Sequence, residues 1–330
     1  MNLRHKPFLA ALTLALAVMF LACGGGSADS NSTPSPAASH QVISTSAAGY
    51  PHAVTIYAPA NATRAIVALH GGGGNNTAIA NQLGMNTSST VATLDTVNWT
   101  WLEANQVMLV LPQGQHIDAA SAPTWSNYTM TSGQDDKGFL QALAAKLRAT
   151  YGFAHITLMG HSMGGTMTNR MWCETSPTFN AYVSLAGPAS SQFQQASTPC
   201  ACVLGFATPP YMGIIGDSDS VMQTSGNWPN TNWYINPVVA WAGSAAFLNS
   251  TLIGEWYQQG NRVSQVCGGT LDLNGYSNIG NVDTWTSCGG KLVLKRVRGA
   301  DHGVDKIAAQ LNPANPTVVM DAVMTFIKAQ

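Results

Sequence analysis

Ser162 stands at the centre of Gly160-His161-Ser162-Met163-Gly164, with Gly165 next. The apolar run Ile156–Met159 leads into it, and the residues after it predict a helix over Thr166–Cys173. A strand, a tight turn and a helix in that order lift a serine hydroxyl above a sheet end, in strained backbone geometry. Positions two before and two after the serine must then be small, because side chains there collide. Gly160 and Gly164 meet that demand. The helix N-terminus points at the reacting group, where its dipole favours developing negative charge. The chemistry so implied is nucleophilic attack on an acyl group, through an acyl-enzyme that water then hydrolyses.

Acyl transfer needs donors for the oxyanion. His70-Gly71-Gly72-Gly73-Gly74 follows the apolar run Arg64–Leu69, and its glycines leave backbone N–H groups unshielded. One donor is expected from Met163, after the nucleophile, and the other from Gly72. A phosphate-cradling loop would need a following Lys-Ser or Lys-Thr, which is missing here. In α/β-hydrolases, which this constellation resembles, an acid and then a histidine follow the serine along the chain. His302 is the only histidine after Ser162, and it follows the run Leu292–Val297. Its imidazole can take the serine proton and return it to the leaving alkoxide. Gly216-Asp217-Ser218-Asp219-Ser220-Val221 offers two carboxylates to orient it. Asp219 is favoured because it sits further past the run Tyr211–Ile215, with Asp217 left to cap or close the turn. Asp301 and Asp305 are too near His302 in sequence for that geometry.

These residues need a scaffold that delivers them to one sheet edge. His52–Ala58, Arg64–Leu69, Val107–Leu111, Ile156–Met159, Ala181–Leu185, Tyr211–Ile215 and Leu292–Val297 are alternating or apolar runs of strand length. Asp136 is the expected N-cap of a helix over Lys137–Thr150, where Phe139, Leu140, Leu143 and Leu147 recur at helical spacing. Strands alternating with helices predict an α/β fold: a mostly parallel central sheet flanked by helices. The Trp-rich stretch Ser220–Gly260 reads as a loop plus helix. Trp125, Trp228 and Trp233 are candidates to line an apolar cleft, and equally candidates for ordinary packing.

The 330 residues are 45% hydrophobic and 9% charged, with a net charge of −1. That balance gives no electrostatic footprint for nucleic acid. Arg4, His5 and Lys6 precede an apolar run, Phe8–Ala22, that fits an export signal and is short for a bilayer-spanning helix. Phe20-Leu21-Ala22-Cys23 resembles a bacterial lipoprotein processing site, with Phe20 where Leu is usual. The resemblance implies lipidation at Cys23, so that the membrane is a partner only through an N-terminal anchor. Residues 1–22 are thus expected to be a signal peptide and 23–40 a flexible Gly/Ser/Pro-rich linker. The catalytic domain is expected over 41–330. In an oxidising compartment disulfides are the default for the remaining cysteines. Cys267 and Cys288 bracket a Gly- and Asn-rich segment and make one candidate pair, and Cys173 would pair with Cys200 or Cys202. Cys200-Ala201-Cys202 has no matching His or Cys cluster, so neither a metal nor another cofactor is expected.

Five segments together resemble the secreted polyhydroxybutyrate depolymerases and the feruloyl or acetylxylan esterases, one branch of the α/β-hydrolases. They are Leu69-His70-Gly71 with its glycines, Trp125 with Asp135-Asp136-Lys137-Gly138-Phe139-Leu140, and Gly160–Gly165. The others are Gly216–Val221 and Cys288-Gly289-Gly290 leading to Gly299-Ala300-Asp301-His302. The family's Gly-x-x-Asp-x-Val pattern lands on Asp219. Cys267 and Cys288 match positions that carry cysteines in many relatives. The cysteine that the family places after His-Gly is replaced by Gly72, and Gly303-Val304-Asp305 stands where a Trp-Pro is common. The resemblance implies an exported serine esterase, secreted or lipid-anchored at the bacterial cell envelope. Its expected partner is a polymeric or oligomeric ester such as poly(3-hydroxybutyrate), with feruloyl or acetylxylan esters as the alternative. A non-catalytic surface-binding module on the same fold is the reading from another class, and it would carry a broken triad.

Overall fold

A computed structural model describes residues 40–127, 130–187, 205, 207–223, 262–272 and 274–330. Residues Ala38–Gln330 close on themselves as one unit. The strands are β1 (Gln41–Ser46), β2 (Ala53–Ala58), β3 (Arg64–Leu69), β4 (Val107–Pro112) and β5 (Ile156–His161). They continue with β6 (Ala181–Leu185), β7 (Tyr211–Gly216), β8 (Ser277–Ile279), β9 (Val282–Ser287) and β10 (Leu292–Val297). The helices are α1 (Asn76–Gln82), α2 (Trp99–Asn105), α3 (Asp136–Tyr151), α4 (Met163–Glu174) and α5 (Ser220–Gln223). Near the C-terminus come α6 (Val304–Leu311) and α7 (Val318–Lys328). Among the described residues no helix is long and apolar enough to cross a membrane.

The strands form a single ten-stranded sheet in the order β1-β2-β4-β3-β5-β6-β7-β10-β9-β8. From β4 through β10 every neighbouring pair is parallel, while antiparallel pairs close the two flanks. The parallel strands β4, β5, β6 and β7 are buried along their whole length, which is why they read as continuous apolar runs. Alternate side chains feed two cores. Val67, Leu69 and Leu158 pack with Phe139, Leu143 and Leu147 of α3 and with Met167 and Trp172 of α4. Ile66, Ala68 and Met159 face the opposite way, onto Ile79 of α1, Leu102 of α2, Ile307 of α6 and Val323 of α7.

Several expectations change. Asp135, not Asp136, caps α3: its Oδ1 accepts from the Gly138 N–H at 3.0 Å. Asp136 is the first helical residue and is wholly buried. Helix α4 begins at Met163, earlier than Thr166, because the helix takes over directly from the turn at Ser162. Strands β1, β8 and β9 had no apolar signal. They are flank strands, and all three residues of β8 are exposed. Cys267 and Cys288 are bonded, tying the helical turn at residues 262–267 to the end of β9. Cys173 is also disulfide-bonded. Cys23, Cys200 and Cys202 lie outside the described residues, as do residues 224–261 of the Trp-rich stretch.

Candidate active site

The turn between β5 and α4 places Ser162 at φ 53° and ψ −118°, a conformation that L-residues rarely adopt. Three glycines make it possible. A Cβ on Gly160 would lie 2.2 Å from the Gly164 carbonyl oxygen, and one on Gly164 would lie 2.6 Å from the Leu69 and His70 oxygens. A Cβ on Gly165 would meet Gly187 Cα at 2.8 Å. The start of α4 thus lies against β5, the end of β3 and Gly187 after β6 too closely for side chains at these three positions, and the serine is left at the sheet's carboxyl edge.

His302 hangs over that edge from the loop between β10 and α6. Its Nε2 is 2.9 Å from Ser162 Oγ, and its Nδ1 is 2.8 Å from Asp219 Oδ2. Asp219 is fully buried and cannot donate as a carboxylate, so it fixes the proton on Nδ1 and leaves the Nε2 lone pair for the serine hydroxyl. Asp217 is engaged elsewhere: its Oδ1 accepts from the Gly299 N–H at 2.7 Å. Asp301 joins the two loops, since its Oδ1 accepts from the backbone N–H groups of Ser220 and His302 and from Ser220 Oγ. These bonds, the Ser220 N–H foremost, hold the Asp301 carboxyl below the usual range.

Two further histidines frame the serine, and both are neutral. His161 Nε2 donates to the His302 carbonyl oxygen at 2.8 Å. Burial, reinforced by the neighbouring His302, pushes its pKa down to about 4. His70 accepts the Gly114 N–H on Nε2 at 2.9 Å, so its proton sits on Nδ1 and is donated to the Gly71 oxygen at 2.7 Å. Burial lowers its pKa to about 4 as well.

The Gly71 oxygen also accepts from the Gly74 N–H at 3.0 Å. A trans peptide points its C=O and N–H in opposite directions, so these two bonds turn the Gly72 N–H away from the loop's interior. Met163 is the first residue of α4, where N–H groups have no intrahelical acceptor. A Cβ added at Gly72 would be 3.2 Å from Met163 Cγ, so the two residues adjoin. They belong to different elements and meet only in the folded chain. Gly71, Gly72, Ile79, Gln82, Val221 and the Ser162–His302 pair border a cavity of about 260 Å³.

Trp125 does not line this cavity. It is fully buried, and its Nε1–H donates to the His70 carbonyl oxygen at 2.9 Å. Trp228 and Trp233 lie outside the described residues. Sequence reasoning missed the tethering by Asp301 and His161, since nothing in either residue's neighbourhood announces a partner more than 80 positions away. Among the described residues no group of three or more His, Cys, Asp or Glu could hold a metal ion.

No protein-family model and no curated protein matches the sequence. Solved structures do. An acetyl xylan esterase from Aspergillus awamori aligns over 81% of this chain and 95% of its own, with a TM-score of 0.51 at 15% identity. The chain has the α/β-hydrolase fold. Esterase PE8 aligns over 88% of this chain and 98% of its own, at TM-score 0.45 and 14% identity. An S-formylglutathione hydrolase from Agrobacterium tumefaciens aligns over 87% and 93%, at TM-score 0.48 and 11% identity. At 15% identity the likeness to the acetyl xylan esterase speaks for the fold alone, and the function has to rest on the site.

Proposed function

We propose that this protein is a serine carboxylic ester hydrolase in which Ser162 is the nucleophile, His302 the general base and then acid, and Asp219 the orienting carboxylate. The observation that carries this reading is the continuous Ser162–His302–Asp219 hydrogen-bond chain, with distances of 2.9 and 2.8 Å, at the mouth of a cavity. His302 takes the proton as Ser162 Oγ attacks the ester carbonyl. The N–H groups of Gly72 and Met163 receive the oxyanion, and the proton passes to the leaving alcohol. Water then repeats the sequence on the acyl-enzyme. A binding module would have no use for a strained serine aligned with a histidine and a buried carboxylate.

Among esters, the motif resemblance favours a polyester such as poly(3-hydroxybutyrate). The second reading is an acetyl or feruloyl ester of plant polysaccharide. A cavity of about 260 Å³ has room for a short acyl group. Both a hydroxybutyrate unit and an acetyl group satisfy that, so the alcohol side decides between the two. Residues 1–22 serve as an export signal, 23–40 as a linker and 41–330 as the catalytic domain in this reading. The enzyme is then exported, either anchored to the envelope by a lipid on Cys23 or secreted.

Hydrolysis of short p-nitrophenyl esters by wild type and Ser162→Ala tests the reaction class. The expected result is activity in the wild type and a loss of several orders of magnitude in kcat for the variant, with folding intact. A variant that keeps its activity would remove Ser162 from the mechanism. Release of 3-hydroxybutyrate, acetate or ferulate from matched polymers then separates the substrate readings. The mass of the mature N-terminus, in wild type and Cys23→Ser, tests the anchor.

A further inference from the structure

The two oxyanion donors stand on separate elements. Gly72 belongs to the loop after β3, whereas Met163 opens α4, and a hole for one oxygen needs both within about half an ångström of the right place. One short segment touches both. The Pro123 oxygen accepts from the Gly73 N–H at 2.8 Å, and Trp125 Nε1–H donates to the His70 oxygen at 2.9 Å. The Gly71–Gly72 pair is therefore gripped on either side. Two residues further on, Asn127 Nδ2–H donates to the Met163 oxygen at 2.9 Å. Trp125 and Asn127 are both wholly buried.

The segment itself is anchored from behind. Buried Asp136, at the start of α3, accepts from the Ser126 N–H and from Ser132 Oγ on Oδ2, and contacts His52 Nε2 at 2.6 Å on Oδ1. The His52 ring lies flat on Phe139, with centroids 3.9 Å apart, and parallel to Trp125 at 6.3 Å. Arg170 of α4 donates to the Ser126 oxygen. A buried carboxylate is costly unless its lone pairs are filled. Here they are filled by the groups that hold residues 123–127 in place.

We propose that Pro123–Asn127 is a brace that sets the spacing of the Gly72 and Met163 donors, with Trp125 and Asn127 as positioning residues and Asp136 as the anchor. This rests on the serine-esterase reading above. Removing either tether leaves substrate binding intact and loosens only the contact made to the oxyanion, so kcat and the affinity for a tetrahedral adduct fall together.

The test uses Trp125→Phe, which keeps an aromatic ring and removes the Nε1–H, and Asn127→Ala. Trp172→Phe is the control, because Trp172 Nε1–H donates to the Pro209 oxygen away from the site. Each is assayed on p-nitrophenyl acetate and with phenylboronic acid, which forms a tetrahedral adduct on a nucleophilic serine. The expected result is about a tenfold loss of kcat in Trp125→Phe and in Asn127→Ala, with KM within about twofold. The boronate inhibition constant should rise by the same factor, and Trp172→Phe should leave both unchanged. A change in KM alone, no change in kcat, or an equal loss in Trp172→Phe overturns the brace. Either tether variant decides by itself, so failure of one to fold leaves the other. An inactive wild type sinks the esterase reading and the brace together, whereas an active wild type with unmoved variants sinks the brace alone.

Discussion

Ser162 sits in a sparsely populated backbone region, which costs about 1–3 kcal/mol and is sustained by what surrounds it. Gly160 is the most confined of those surroundings, with a Cβ there 2.2 Å from a backbone oxygen. Gly160→Ala is accordingly expected to lower Tm by several degrees or to prevent folding, and to reduce kcat in whatever protein folds. Thermal melts beside active-site titration would show it. The two aspartates of the Gly216–Val221 segment make a sharper comparison. Asp219 is buried against His302 Nδ1, whereas Asp217 bonds the Gly299 N–H. Asp219→Asn leaves His302 free to take the wrong tautomer and should lower kcat about 10³- to 10⁴-fold. Asp217→Asn should stay within about tenfold. If Asp217→Asn proved the more damaging, the assignment of the acid would be reversed.

At the scale of elements, the site is four loops from one sheet edge, and their mutual tethers matter as much as their strands. The acid loop is joined to the histidine loop by backbone bonds from Asp217 and Ser218 to the oxygens of Val297 and Ala300, and by Asp301. Asp301→Ala frees Ser220 and the His302 N–H at once. The expected outcome is about a tenfold fall in kcat with only a small change in Tm, since both loops stay attached through their other bonds. An unchanged kcat would show that the strands alone position the triad. The Cys267–Cys288 disulfide works on a different quantity. It closes a sequence separation of 21 residues, which in the chain-entropy account is worth about 3 kcal/mol. Cys267→Ser with Cys288→Ser should lower Tm by several degrees while leaving kcat at 25 °C close to wild type, because the bond lies away from Ser162.

For the whole molecule, His70 and His161 make folding depend on acidity. Each has an ordinary pKa of 6.5 and a folded value near 4, because burial disfavours the cation. The unfolded chain therefore binds protons more readily, and stability rises with pH across the interval between those values. Stability is fully present above pH 6.5 and is lost as pH falls toward about 4. Urea midpoints measured across that range should decline on acidification, and His70→Gln should flatten the decline. A slope of the opposite sign would mean that the folded protein binds more protons than the unfolded chain over this range, and would overturn control of the pH dependence by these two neutral histidines.

The sequence by itself singled out Ser162 and His302 as candidate nucleophile and base, and it determined the scaffold. Gly160-His161-Ser162-Met163-Gly164 carries its steric demand locally, His302 is the one histidine left downstream, and strands buried on both faces cannot hide their apolar runs. Other features were legible only as alternatives, such as Asp219 beside Asp217. Tertiary structure alone decided which carboxylate faces His302, that Asp136 turns inward instead of capping α3, and that Trp125 supports the His70 loop from behind. It also decided the flank strands β1, β8 and β9, whose mostly polar residues leave no apolar run, although Asp283 and Trp285 of β9 are buried. The division follows from the range of the forces. Steric exclusion in a turn and burial along a strand are written in neighbouring residues. A hydrogen bond from Asp301 to Ser220, or from Trp125 to His70, depends on two distant segments arriving at the same place.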